Sequence, residues 1–267
     1  MLRSRGISSN MYGWTERWKA DGKEPTWEAL YAACAEAGLD AVETDATPEK
    51  LALARAAGLA VSASYVGTEL HGEYGALEAE VLPFAERLAA AGGTDLIMNA
   101  DPYGGWKQPL PRPESVLQRQ GDNLSRLAER AGALGLRLSL HNHAADRERA
   151  LADLRVVVQY ASASVGLCVD TGWAHVAGCD PIDWVTRYPD RIYAVHLRNQ
   201  RGRTPTEDLL EGDIDLAAFV RALDAANYGG WLAMELWHPP ETKPVRTMTE
   251  DVARSCAWLR ETLAGLK

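Results

Sequence analysis

The sequence predicts a single-domain (β/α)8 TIM barrel, and three observations carry that prediction. Eight short apolar or β-branched runs recur along the chain, each followed by a segment of helical character. The length of 267 residues matches such a barrel, typically about 250 residues. No G-x-G-x-x-G turn follows the first strand candidate, which weakens the rival α/β arrangement, a doubly wound open sheet.

The strand candidates are "RSRGISS" at 3–9, "LDAVET" at 39–44, "LAVSAS" at 59–64 and "TDLIMN" at 94–99. They continue with "LRLSLH" at 136–141, "VGLCVD" at 165–170, "RIYAVH" at 191–196 and "WLAMEL" at 231–236. Between them, Thr47 precedes Pro48, Asp180 precedes Pro181, and Asp215 precedes "LAAFVRAL". A side-chain oxygen at such a position accepts from the first free N–H groups of a helix, and proline suits its first turn. Helices run out into "AGLD", "AGLA", "AGGTD" and "LGLRL", where glycine supplies the left-handed residue that ends a helix. The stretches 65–75, 100–112 and 198–212 read as long loops on one face of a single domain spanning 1–267. No internal repeat or low-complexity segment interrupts it.

Composition narrows the function. A net charge of −9 disfavours a nucleic-acid partner, because phosphate backbones are held by clustered Lys and Arg. No apolar run approaches the roughly 20 residues that cross a bilayer, and "MLRSRGISSNMYGWTERWKADG" carries no apolar signal core. Cys34, Cys168, Cys179 and Cys256 form no C-x-x-C pair, as expected of a reduced chain. The expectation is a soluble cytoplasmic protein with no membrane or nucleic-acid partner.

In a barrel of this kind the active site lies at the C-terminal strand ends. The last residues of the candidates include Glu43, Asn99, His141, Asp170, His196 and Glu235; only the third strand among the last seven offers none. Residues i and i+2 of a strand share a face, so His141 and His143 of "LHNH" can both point inward. Unpaired carboxylates gathered at one mouth are costly, and a cation removes that cost. Two carboxylates and two neutral imidazoles suit Mn²⁺, Fe²⁺, Co²⁺ or Zn²⁺ better than the all-oxygen sites of Ca²⁺ or Mg²⁺. Nine tryptophans stand against two phenylalanines. Trp14, Trp106, Trp173 and Trp237 fall in or beside loops of the same face, where an indole can stack on a sugar ring. Trp27, Trp184 and Trp258, at helical positions, read as core.

At these strand ends the chain resembles the xylose isomerase-like sugar phosphate isomerase/epimerase superfamily. The resemblance is carried by "VGLCVDTGWAHVAGCDPIDWVTRYPDRIYAVHLRNQ", with an Asp-Thr-Gly ending strand 6, a G-x-D-P opening the next helix and a histidine ending strand 7. "LHNHAADRER" is similar to the HNH segment of one branch, "EGDIDLAAFV" to a G-x-G-D-I-D stretch, and "GGWLAMELW" to the last strand. It extends from roughly 25 to 260 and is most specific over 136–237. Relatives include ketose 3-epimerases, hydroxypyruvate isomerase, inosose dehydratase and apurinic endonucleases.

The resemblance implies one divalent metal, Mn²⁺ ahead of Co²⁺, Fe²⁺, Zn²⁺ or Mg²⁺, held by His141, Asp170, His196 and Glu235. The family's epimerases carry a glutamate where this chain has His141, so their symmetric pair of carboxylate bases is incomplete. Either His141 or His143 could serve as the ligand. We take His141 as ligand and His143, with Glu235, as the catalytic acid/base, since an imidazole titrates near neutral pH. The endonuclease relatives have a metal-binding histidine three residues after the strand 6 aspartate, where this chain has Trp173. They also need a second Asp/His pair, which "RTPTEDLLEGDIDL" lacks, so a nuclease is disfavoured. Glu43, Asn99, His71, Trp173, Arg198 and Trp237 are the expected substrate contacts. Arg198 stands where the family has lysine and can fork onto a substrate oxygen or pair with a loop carboxylate. The expected activity is isomerisation or epimerisation of a keto sugar or related polyol ketone through a metal-stabilised enediolate. Elimination of a β-hydroxyl or β-alkoxy group is the alternative, and a non-catalytic sugar-binding barrel the rival from another class. The partner is a small sugar; a homo-oligomer is compatible with the sequence.

Overall fold

The computed structural model of the protein describes residues 2–266. Seven parallel strands come first: β1 (Ile7–Asn10), β2 (Ala41–Glu43), β3 (Ala60–Thr68), β4 (Asp95–Ala100), β5 (Arg137–His141), β6 (Val165–Asp170) and β7 (Ile192–Leu197). A short antiparallel ribbon, β8 (Gln200–Arg201) with β9 (Thr204–Pro205), precedes the last barrel strand, β10 (Leu232–Met234). β10 pairs with both β7 and β1, which closes the eight strands into a ring. This is the expected (β/α)8 barrel.

Local chemistry accounts for the joints. Thr47 accepts from the backbone N–H of Lys50, Asp180 from that of Ile182 and Asp215 from that of Ala218, so all three expected caps are in use. Gly58 and Gly135 end their helices at φ +77° and +79°, a conformation in which a Cβ would clash.

The barrel strands are buried on both faces over most of their length, as a parallel barrel requires. Between strands and helices lies a core built largely of Leu, Val and Ala. Inside the barrel a smaller cluster of Ala63, Ile97, Cys168 and Ala194 packs under Tyr65 and floors the mouth. Ser8 and Ser62 meet across the interior through their hydroxyls at 2.6 Å.

Three elements differ from expectation. β3 continues to Thr68, past the expected end at 64, so the first four residues of the expected 65–75 loop are strand. β10 stops at Met234, leaving Glu235 just beyond the strand. Trp14 is not a loop residue of the mouth. It is buried in the helix Tyr12–Ala20, with its indole N–H donating to Ser9 Oγ at 3.0 Å. Among the described residues no helix is long and apolar enough to cross a membrane.

Candidate metal centre and active site

Four strand ends converge on one point. His141 ends β5, Asp170 ends β6, His196 lies one residue before the end of β7, and Glu235 follows β10. One side-chain donor atom from each lies within 4.8 Å of the others, and all four residues are buried. The register explains the convergence: His196 pairs with Asp170 on one side and with Ala233, two residues before Glu235, on the other.

Three of the four spend one polar atom on the protein and leave the other bare. The ring Nδ1 of His141 sits 3.4 Å from the Tyr65 hydroxyl. Asp170 Oδ1 accepts from the Trp173 backbone N–H and, at 3.1 Å, from Arg198 Nε. His196 Nε2 donates to Glu43 Oε2 at 2.9 Å. The remaining atoms, His141 Nε2, Asp170 Oδ2, His196 Nδ1 and Glu235 Oε2, are buried without a hydrogen-bond partner. With Nε2 carrying the proton for Glu43, His196 Nδ1 presents a lone pair. It stands 2.7 Å from Glu235 Oε2, in a direction that makes no hydrogen bond. Two acceptors so close repel unless a cation or proton lies between them. Unpartnered buried polar atoms cost about 1–3 kcal/mol each, more when charged. Four of them aimed at one point therefore fit a bound divalent cation, and the two-imidazole, two-carboxylate set suits a first-row transition metal.

The electrostatics follow. When no cation is bound a proton takes its place. Despite burial, the Glu43 and Glu235 carboxylates raise the His196 ring well above the usual imidazole value. The charged His196 and His141 rings, outweighing burial, hold the Glu235 carboxyl well below the usual carboxylate range. Burial lifts the Tyr65 hydroxyl well above its ordinary value, and Glu235 adds to that; Tyr65 therefore stays a neutral hydroxyl. His143 is pushed down to about 4, first by burial and then by His141 beside it.

Above this cluster opens a cavity of about 510 Å³ lined by twelve residues, among them Asn99, His143, Trp173, Arg198, Glu235 and Trp237. His143 is outside the four-donor set. Its ring packs against Trp173 at 4.5 Å and stands 5.7 Å from His141. Between the two histidines, Asn142 accepts from the Asp170 N–H at 2.8 Å and donates to the Asp170 carbonyl at 3.1 Å, pinning the end of β6. Arg198 pairs with Asp170, not with a loop carboxylate, while its guanidinium lies 4.7 Å from the centre of the Trp173 ring.

Two expected substrate contacts are not among the residues that line the cavity. Glu43 ends the short β2 beneath the mouth, with one oxygen taken by Asn10 Nδ2 at 2.5 Å and the other by His196. Its task is to fix the ring orientation and tautomer of His196. His71 lies beyond the long β3, against Glu69 at 3.1 Å and edge-on to Tyr103 at 5.3 Å. The cavity instead gains Asn10, Tyr12, Tyr65 and Asp101. Tyr65 was hidden because β3 was expected to end one residue before it. The others lie at or just past strand ends, and the same strand-end rule applied to β1 and β4 would have found them.

Glu43→Gln is expected to weaken metal binding about 10–100-fold, because an amide must turn its NH₂ toward either Asn10 or His196, both of which are donors here. Titration with Mn²⁺ checks this. At Gly172, an added Cβ would lie 2.4 Å from Arg198 Nε and 2.7 Å from Gln200 Nε2. Gly172→Ala is expected to cost about 1–3 kcal/mol through overpacking, read by chemical denaturation.

A family model described as "Xylose isomerase-like TIM barrel" matches residues 31–262. An inosose dehydratase of Lacticaseibacillus casei is 26% identical over 142 residues, 46% of this chain and 48% of the relative; the match thus spans about half the length of that relative. In structure, the 3-keto-D-glucoside 4-epimerase YcjR of E. coli aligns with a TM-score of 0.71 at 18% identity, over 98% of this chain and 100% of the other. The IolI protein with a bound zinc atom aligns with a TM-score of 0.72 at 18% identity, over 97% and 98%. With more than half of its length matched by the family model, the chain belongs to the xylose isomerase-like TIM barrel family.

Proposed function

We propose that the protein is a divalent-metal-dependent enzyme that moves a proton on a keto sugar or related polyol ketone, with isomerisation or epimerisation as the outcome. One observation carries this reading: of the four clustered donors, only Glu235 also lines the cavity. It is a carboxylate at the edge of a cation-binding cluster, facing the space a substrate occupies. When bound, a divalent cation, Mn²⁺ in this proposal, supplies a Lewis acid that polarises the substrate carbonyl. Glu235 takes the proton from the adjoining C–H. His143, on the same cavity wall, rests neutral because burial holds it down to about 4. It takes up a proton from solvent beside the newly formed enediolate anion and passes it to the carbon. Asn99 and Arg198, each with a buried unpartnered polar atom, hydrogen-bond sugar hydroxyls, and Trp173 and Trp237 cover the ring. All four cysteines are free and buried, consistent with a reducing cytoplasm.

Elimination of a β-substituent is the second reading. It is favoured by the unequal pair of Glu235 and His143, where an epimerase would use two equivalent bases, and by the match to an inosose dehydratase. One experiment tests both: metal-loaded protein with a panel of keto sugars and 3-keto-glycosides in D₂O, followed by NMR. Deuterium uptake beside the carbonyl is expected, and the product separates isomerisation from elimination. Turnover without loss of that hydrogen to solvent, or no exchange with any keto sugar, would overturn the reading.

A further inference from the structure

The cavity is larger and more aromatic than one sugar ring requires. Its volume of about 510 Å³ lies in the range that encloses a drug-sized ligand, on the order of 300–1,000 Å³. Five of its twelve lining residues are aromatic: Tyr12, Tyr65, Trp106, Trp173 and Trp237. The lining is also divided by depth. Asn99, Arg198 and Glu235 are buried, and all three present polar side-chain atoms that lack protein hydrogen-bond partners. At the rim, Tyr12 is 53% exposed and Trp106 is 60% exposed.

Among the described residues these are the two aromatic side chains left exposed, both line this one cavity, and Trp106 is held in position. Its ring stands edge-on to His143 at 6.0 Å. The loop that carries it is tied by Gly105 N–H to the Pro102 carbonyl at 2.8 Å and by Leu110 N–H to the Tyr103 carbonyl at 2.7 Å. Farther along, Arg112 anchors it to Asp153 at 2.6 Å and to Gln120 at 3.0 Å. Elsewhere on the rim, Tyr12 and Trp237 pair with centroids 6.4 Å apart. The deep half is thus a polar pocket for a sugar ring, and the rim an aromatic surface provided by Trp106, Tyr12 and Trp237.

We propose that the substrate is a keto sugar bearing a planar, weakly polar second ring, in the manner of an aryl glycoside. The second ring lies in the slot formed by Trp106 and the Tyr12–Trp237 pair, while the sugar occupies the Glu235–His143 end. The identity of the sugar half rests on the keto-sugar reading above; the outer half stands on the rim alone.

The test is calorimetric binding to the Mn²⁺-loaded full chain of 4-nitrophenyl β-D-glucopyranoside against methyl β-D-glucopyranoside, neither of which needs to react. The aryl ligand is expected to bind at least about tenfold tighter, the ratio that one well-made aromatic contact supplies. In Trp106→Ala and Tyr12→Ala that preference should shrink. Equal affinities in the wild type, no detectable binding of the aryl ligand at millimolar concentration, or a preference unchanged in both variants would overturn the proposal. The 3-keto derivatives of the two glycosides then separate the two readings. Aryl preference without deuterium exchange on any keto sugar would uphold the slot and sink the keto-sugar chemistry. Exchange on keto sugars without aryl preference would do the reverse.

Discussion

His141→Ala is expected to abolish stoichiometric metal binding. The substitution removes one of four buried donors and leaves Glu235 Oε2 facing His196 Nδ1 at 2.7 Å with less to balance the approach. The loss should exceed the 10–100-fold that removal of an outer partner typically costs. His143→Ala should behave differently. Its ring lies outside the four-donor cluster and touches Trp173 and Trp106, so the variant keeps its metal but loses proton transfer, by about 10²–10⁴ in rate. Elemental analysis of the two purified variants after loading with Mn²⁺ checks the pair. Metal retained in His141→Ala and lost in His143→Ala would reverse the roles assigned to the two histidines.

Glu235→Gln carries the second large effect. The amide keeps the size of the side chain and one oxygen, but it cannot accept the substrate proton. At saturating Mn²⁺ the exchange of the C–H beside the carbonyl should fall about 10²–10⁴-fold, and metal affinity should weaken with the lost charge. Solvent-exchange rates measured by NMR across a Mn²⁺ series separate these two losses. Rescue of full exchange by metal alone would show that Glu235 acts only as a ligand and that the base lies elsewhere.

Much of this arrangement was legible from the residues. Strand positions followed from short apolar runs bounded by glycine and by capping Thr or Asp, because those residues act within a few positions of themselves. The donor cluster was legible for a different reason: a parallel barrel puts every C-terminal strand end at one mouth, so chemistry at strand ends is chemistry in one place. What sequence could not supply was height and direction. Glu43 sits at a strand end like the others, yet β2 is short and its carboxylate turns to Asn10 and His196. Tyr65 was obscured by Gly67, which reads as loop but lies inside β3, where it pairs with Asn99 of β4. Asn142, between two conspicuous histidines, turned out to clamp the backbone of Asp170. Such contacts between residues distant in sequence have no local signature.

In the proposed site His141, Asp170, His196 and Glu235 hold one cation beneath the cavity. The most direct measurement is anomalous diffraction near the manganese edge from crystals of Mn²⁺-loaded protein. One strong peak is expected, bounded by His141 Nε2, Asp170 Oδ2, His196 Nδ1 and Glu235 Oε2, at first-row metal–ligand distances of about 2.0–2.2 Å. No peak there, or a peak coordinated by His143 in place of His141, would contradict it.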